Sequence, residues 1–219
     1  MTDMYQKISI YAFLITVIGI GISYVIRPEK ECLKHPVRTL FHAFTLIFLD
    51  QKLSFAGSIR KLVYLLALFS FLVLGFTGFY PTLVKGEHIS GFLIMIHATF
   101  APVLAVCIAA LAVMWAGKCV FNTKDWPWLQ RIIERLTLVK IDECQSDRES
   151  SVWQKISFWL IVFLSLPLIM SIILSMLPYF GTHWQEVFVF IHRYTALVFA
   201  IVVLIHTHLI VIAQLRSKA

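Results

Sequence analysis

Charge is scarce in this sequence. Asp, Glu, Lys and Arg make up 14% of its 219 residues, against about 25% in soluble globular domains. The hydrophobic share is 59% and the mean hydropathy is +0.83. A chain this apolar has too little polar surface to cover itself in water, which excludes a soluble protein. Cysteine is scarce as well: Cys32, Cys107, Cys119 and Cys144 are the full set. They form no C-x-x-C pair and no C-x-x-C-H motif, which argues against a structural zinc, an iron–sulfur cluster and a covalently attached haem. No glycine-rich nucleotide loop and no Ser/His/Asp arrangement stands out, so NTPase and hydrolase chemistry find no support. No nucleic-acid motif appears either.

What is present is long apolar runs. Five are long enough to cross a bilayer: Ile8–Ile26, Leu62–Tyr80, Phe92–Ala116, Ile156–Leu177 and Val187–Leu215. About 20 apolar residues suffice for a span. None of the runs carries Lys, Asp or Glu in its middle, and only Arg193 intrudes, near one end of the last. The fold class expected is therefore an all-α integral membrane protein with five transmembrane helices. The connections leave no room for a separate soluble domain. The first run has Asp3 and Lys7 before it and "RPEKE" after it, rather than a basic start and a small-residue cleavage site. It reads as an uncleaved helix rather than a signal peptide. Pro81 and Pro178 read as helix ends, whereas Pro102 and Pro167 fall inside helices and make kinks there.

Positive charge gives the orientation. Segment 27–61 holds Arg27, Lys30, Lys34, Arg38, Lys52, Arg60 and Lys61, and segment 117–155 holds seven more Lys and Arg, while connections 81–91 and 178–186 offer only Lys85. Basic segments stay in the cytoplasm, so the N-terminus is expected outside and the C-terminus inside. The formal charge of +7 follows from this rule and calls for no nucleic-acid partner.

Against that background the histidines stand out. His192 and His206 lie 14 residues apart on the last run, about 21 Å along a helix and within roughly 40° of one face. His208 points roughly the opposite way. Each of the two on the shared stripe sits at a height suited to a haem near one membrane surface. His97, in "GFLIMIHATFAPV", lies about as deep in the third run as His192 does in the fifth. Ionisable groups are costly in a bilayer, and a depth-matched pair on two helices favours a shared metal over two separately packed imidazoles. Arg193 beside His192 suits a haem propionate or a snorkelling side chain. His88 and His183 read as exposed loop residues.

These stretches together resemble a known family. "RKLVYLLALFSFLVLGFTGFYP", "IHATFAPVLAV", "DWPWLQ", "WQKISFWLIVFLSLPLIMSIIL" and "IHRYTALVFAIVVLIHTHL" resemble the b-type cytochrome membrane subunit of nickel–iron hydrogenases and formate dehydrogenases, over about residues 60 to 215. The resemblance implies a cytochrome b561-like four-helix haem-binding bundle over 61–219. Residues 1–60 would add an N-terminal helix and a basic, partly interfacial segment. It also implies haem ligands at His97, His192 and His206. In the family the partner of the innermost histidine begins the first helix of the bundle; here Tyr64 stands in that place. Three arrangements remain open for His206: Tyr64 as ligand, His42 in "RTLFHAFTLIFLD" as ligand with His35 behind it, or no inner haem. In the last case His206 and His208 would move protons for a quinone. The quinone site lies beside the inner haem in the family, at the depth here of Tyr64, His206, His208, Gln214, Arg60 and Lys61.

The function implied is electron relay through haem b, one or two per chain. The relay would run between an iron–sulfur subunit, with its catalytic subunit, and quinone in the inner membrane. A transporter is disfavoured because no Asp or Glu lies mid-membrane and no internal repeat is evident. A haem-free anchor, in which the histidines only pack, is the other alternative.

Overall fold

The protein is described here from a computed structural model, which covers residues 2–26, 55–121 and 149–216. Five helices account for nearly all of these residues: α1 (Thr2–Ile26), α2 (Phe55–Tyr80), α3 (Gly91–Trp115), α4 (Glu149–Met176) and α5 (Thr182–Arg216). All five are long and apolar enough to cross a membrane. In hydrocarbon no water is available for an unpaired peptide group, so a spanning segment closes its own hydrogen bonds as a helix. The helices begin up to two turns before the apolar runs that announced them. The run measures only the part that lipid must solvate, and the helix continues into polar turns such as Glu149–Ser151. His183, expected in a connection, sits instead in the first turn of α5, exposed.

Burial follows a membrane pattern. On α2 the large side chains Leu62, Phe69, Leu72 and Phe76 face outward, while Ala67, Ser70 and Thr77 are buried. On α4 Phe163, Leu166, Met170 and Ile173 are exposed and Ser157, Ser165 and Ser171 are buried. Small residues let backbones approach where lipid gives no hydrophobic drive to pack helices. Most of their hydroxyls bond a carbonyl of their own helix, as in Ser165 Oγ to Val162 O at 2.7 Å and Ser171 Oγ to Leu168 O at 3.1 Å, while Ser70 Oγ is buried with no hydrogen-bond partner among the described residues.

Two antiparallel hairpins make the bundle. In the first, α2 runs on through a π-helical turn at Pro81–Lys85, so Pro81 ends the α-helix without ending the span. The turn closes at Gly86, whose φ of 68° is the left-handed cap conformation that glycine adopts at little cost. In the second, α4 and α5 meet across residues 177–181, where Gln185 Nε2 donates to Leu177 O at 3.2 Å. Ala67, Leu104, Cys107, Ile108 and Phe199 form the core between the hairpins. At the far end α3 and α4 are tied by Trp159 Nε1 donating to Cys119 O at 2.9 Å.

Helix α1 lies against α5 and the end of α2. Tyr5 donates its hydroxyl to Arg193 O at 3.0 Å, Gln6 Nε2 donates to Leu83 O at 3.1 Å, and Phe13 meets Phe79 with ring centroids 5.0 Å apart. One end of the bundle therefore gathers the start of α1 and the short connections; the other gathers the boundaries of segments 27–54 and 122–148. Those segments lie outside the described residues, and with them His42, His35 and most of the basic segment expected to be partly interfacial.

Candidate functional site

His97 on α3 and His192 on α5 meet at the short-connection end. Their ring centroids are 6.5 Å apart and the ring planes stand at 79°. An iron bonded to two opposed imidazole nitrogens at roughly 2 Å each puts the ring centroids about 6 Å apart. The pair expected from depth alone is thus brought to ligating separation.

The hydrogen bonds fix which nitrogen is presented. Thr77 Oγ1 lies 2.8 Å from Val73 O and 3.0 Å from His97 Nδ1. A hydroxyl has one proton, and a carbonyl only accepts, so Thr77 gives its proton to Val73 O. The network therefore assigns the proton between the side chains to His97 Nδ1, which donates to Thr77 Oγ1. His192 Nδ1 lies 2.9 Å from Leu168 O and must likewise donate. Both rings keep a lone pair on Nε2, and neither Nε2 has a hydrogen-bond partner among the described residues. Metal-bound histidines are held in this way, through the nitrogen that does not face the metal.

Two further features shape this end. A Cβ on Gly78 would lie 3.2 Å from His97 Cε1; glycine lets the imidazole rest against the α2 backbone. Arg193 lies with its guanidinium carbon 4.2 Å from the centre of the Tyr5 ring, and its Nη2 is buried with no hydrogen-bond partner among the described residues. A buried, unanswered guanidinium nitrogen next in sequence to His192 fits a haem carboxylate. No group of three or more His, Cys, Asp and Glu able to hold a bare metal ion occurs among the described residues. Haem needs only two axial protein ligands, a demand that two facing histidines are able to meet.

The far end holds the other residues. His206 and Tyr64 line one cavity of about 100 Å³ between the hairpins, walled by all four helices of the bundle. Tyr64 stacks on Trp115 with centroids 6.2 Å apart. Ser157 Oγ lies 2.8 Å from Trp153 O and 2.7 Å from His206 Nδ1, so the same proton count makes His206 Nδ1 the donor. His208 faces away from this cavity, as the helical angle requires. Its Nε2 lies 2.7 Å from Ser23 Oγ on α1.

The sequence did not announce Thr77, Ser157 and Ser23 as partners of three histidines. A signal was there: each is a small hydroxyl in an apolar helix at the depth of a histidine elsewhere. The Tyr5–Arg193 contact had no such signal. The family model described as prokaryotic cytochrome b561 matches residues 58–219. No curated protein matches the chain.

Proposed function

The chain belongs to the prokaryotic cytochrome b561 family; from that premise we propose that it is the membrane cytochrome b subunit of a respiratory oxidoreductase complex. In this reading it relays electrons between an iron–sulfur subunit and the quinone pool through a bis-histidine haem b held by His97 and His192. The observation that carries it is the pair itself, 6.5 Å between ring centroids, with each Nδ1 engaged and each Nε2 open.

When bound, haem supplies reversible one-electron chemistry, and two imidazole ligands leave the iron no open position for oxygen. The chain's own residues do the rest. Thr77 and the Leu168 carbonyl hold the two rings in one tautomer. Gly78 gives His97 its seat, and Arg193 offers a cation to a propionate. The helices keep water from the site. The distribution of basic residues supports an inner-membrane location with the short-connection end outside, which makes this the outer haem. With nearly all described residues in spans, an iron–sulfur subunit and a catalytic subunit would have to supply the electron chemistry on the aqueous side.

The test is optical. The purified full chain should give a dithionite-reduced b-type spectrum that is lost in His97→Ala and in His192→Ala. A colourless wild-type protein that is fully folded by circular dichroism would sink this reading, leaving the haem-free anchor.

A further inference from the structure

Helix α1 lies before the stretch that the family model matches, which begins at residue 58. Its contact with α5 is therefore an addition to the matched bundle, and it centres on Tyr5 and Arg193. Tyr5 is 4% exposed. Its hydroxyl donates to Arg193 O at 3.0 Å, and the Arg193 guanidinium carbon lies over its ring, 4.2 Å from the centre. Tyr194 holds the same ring from the side, edge to face, with centroids 5.1 Å apart.

These contacts leave the cation unfinished. A ring attracts a cation through its face, so the guanidinium N–H groups, which lie at its edges, still need acceptors in their own plane. A snorkelling arginine gives those groups to water or to lipid phosphate. Arg193 does the opposite: its Nη2 is buried, with no acceptor among the described residues. One helical turn on from Tyr5, Ser9 Oγ is fully buried and also without a partner. The cations Lys7 and Lys85 at the same end are exposed, and so are Glu87 and Glu186. The seam between α1 and α5 thus holds a fixed cation with a hydrogen bond to give, on the residue after a haem-ligand candidate.

We propose that Tyr5 is a positioning residue for Arg193, and that the pair clamps one haem propionate, so that α1 takes part in holding a cofactor whose iron ligands lie on α3 and α5. Tyr5 acts in two ways. Its hydroxyl fixes the backbone at the residue after His192, and its ring keeps the guanidinium from turning out to the lipid surface. The propionate accepts from Arg193 Nη2, which replaces part of the hydration that a carboxylate loses inside the bundle. The inference rests on the haem reading of the His97–His192 pair and extends it to a helix outside the family match.

The experiment compares two probes on the full chain, made in haem-deficient cells and purified into lipid nanodiscs. One is ferric protoporphyrin IX; the other is its dimethyl ester, which keeps ring and iron but carries no carboxylate. The Soret band reads both Kd values, and the ratio of ester to acid is compared among variants. The ester's stronger partition into lipid is common to all of them and cancels. Arg193→Leu should lower the ratio about tenfold, the loss of one hydrogen bond to a charged group. Tyr5→Leu should lower it by at least about threefold, whereas Tyr5→Phe, which keeps the ring under the cation, should change it by no more than about twofold. Tyr5→Leu combined with Arg193→Leu should fall no further than Arg193→Leu alone, because Tyr5 acts through Arg193. A b-type spectrum with either probe reports that a variant is folded, and Arg193→Gln stands in for Arg193→Leu if that one is not. A ratio unmoved by the loss of Arg193 would overturn the inference and leave Nη2 to a lipid phosphate. Equal weakening of both probes in Tyr5→Leu would overturn it as well, since a merely structural contact does that. A wild type that binds neither probe would instead strike at the haem reading, and the inference would fall with it.

Discussion

Replacing Thr77 by valine keeps the shape of the side chain and removes its only acceptor for His97. The Nδ1–H of His97 then faces a methyl group instead of an oxygen at 3.0 Å. Leaving a buried donor unpaired costs about 1–3 kcal/mol. The ring can escape the cost by moving its proton to Nε2, which removes the lone pair that Nε2 would offer a metal. Either route weakens the site, and loss of such an outer partner lowers metal affinity by about 10- to 100-fold. In the fraction that retains haem, His97 is a poorer electron donor, so the ferric state loses stabilisation relative to the ferrous. If about 1 kcal/mol of the hydrogen bond's worth is felt by the ferric state, the midpoint rises by roughly 40 mV, since 59 mV is a tenfold change for one electron. Haem content by pyridine haemochrome and a potentiometric titration of the reduced α-band read both effects. Thr77→Ser, which keeps the oxygen, should restore both. Full haem content in Thr77→Val, with a midpoint within about 10 mV of wild type, would refute the reasoning, because no other acceptor bonds His97 Nδ1 among the described residues.

Gly78→Ala should displace the His97 ring by a few tenths of an ångström, since the added carbon would sit 3.2 Å from Cε1. Haem content should fall and the low-spin signal in electron paramagnetic resonance should shift; an unchanged spectrum would mean that the ring is not seated there. For orientation, Ser90→Cys in a background without the four native cysteines should react with a membrane-impermeant maleimide in intact cells, and Ser58→Cys should react only after lysis. The opposite pattern would invert the topology.

Much of this arrangement is legible in the sequence, and particular residues explain where legibility stops. The five spans follow from apolar length alone, because lipid makes helix the only choice. His97 and His192 follow from depth, since a vertical coordinate along a spanning helix is fixed by counting residues. The facing directions of His206 and His208 follow from the helical angle. What a single sequence does not fix is rotation of one helix against another. That rotation decides that Thr77 on α2 faces His97, and that Ser157 on α4 faces His206. It also decides that Tyr64 and His206 open on one cavity. Nor does the sequence show the neighbour of Arg193: Tyr5, 188 positions away, whose ring centre lies 4.2 Å from the guanidinium carbon.

The distance in sequence between α1 and its seat bears on how the molecule is made. Tyr5 binds α5 at Arg193 and Ser23 binds it at His208, across separations of 188 and 185 residues. At about 5–20 residues per second of synthesis, α1 enters the membrane on the order of ten seconds or more before the helix it rests on exists. His97 waits as well, for His192 lies on that same last helix. Arrival of α5 therefore brings His192 to His97 and gives α1 its berth in one event. A ribosome that stops after α4 releases a chain with neither, so the histidine pair and the seat of the first helix are lost as a single defect.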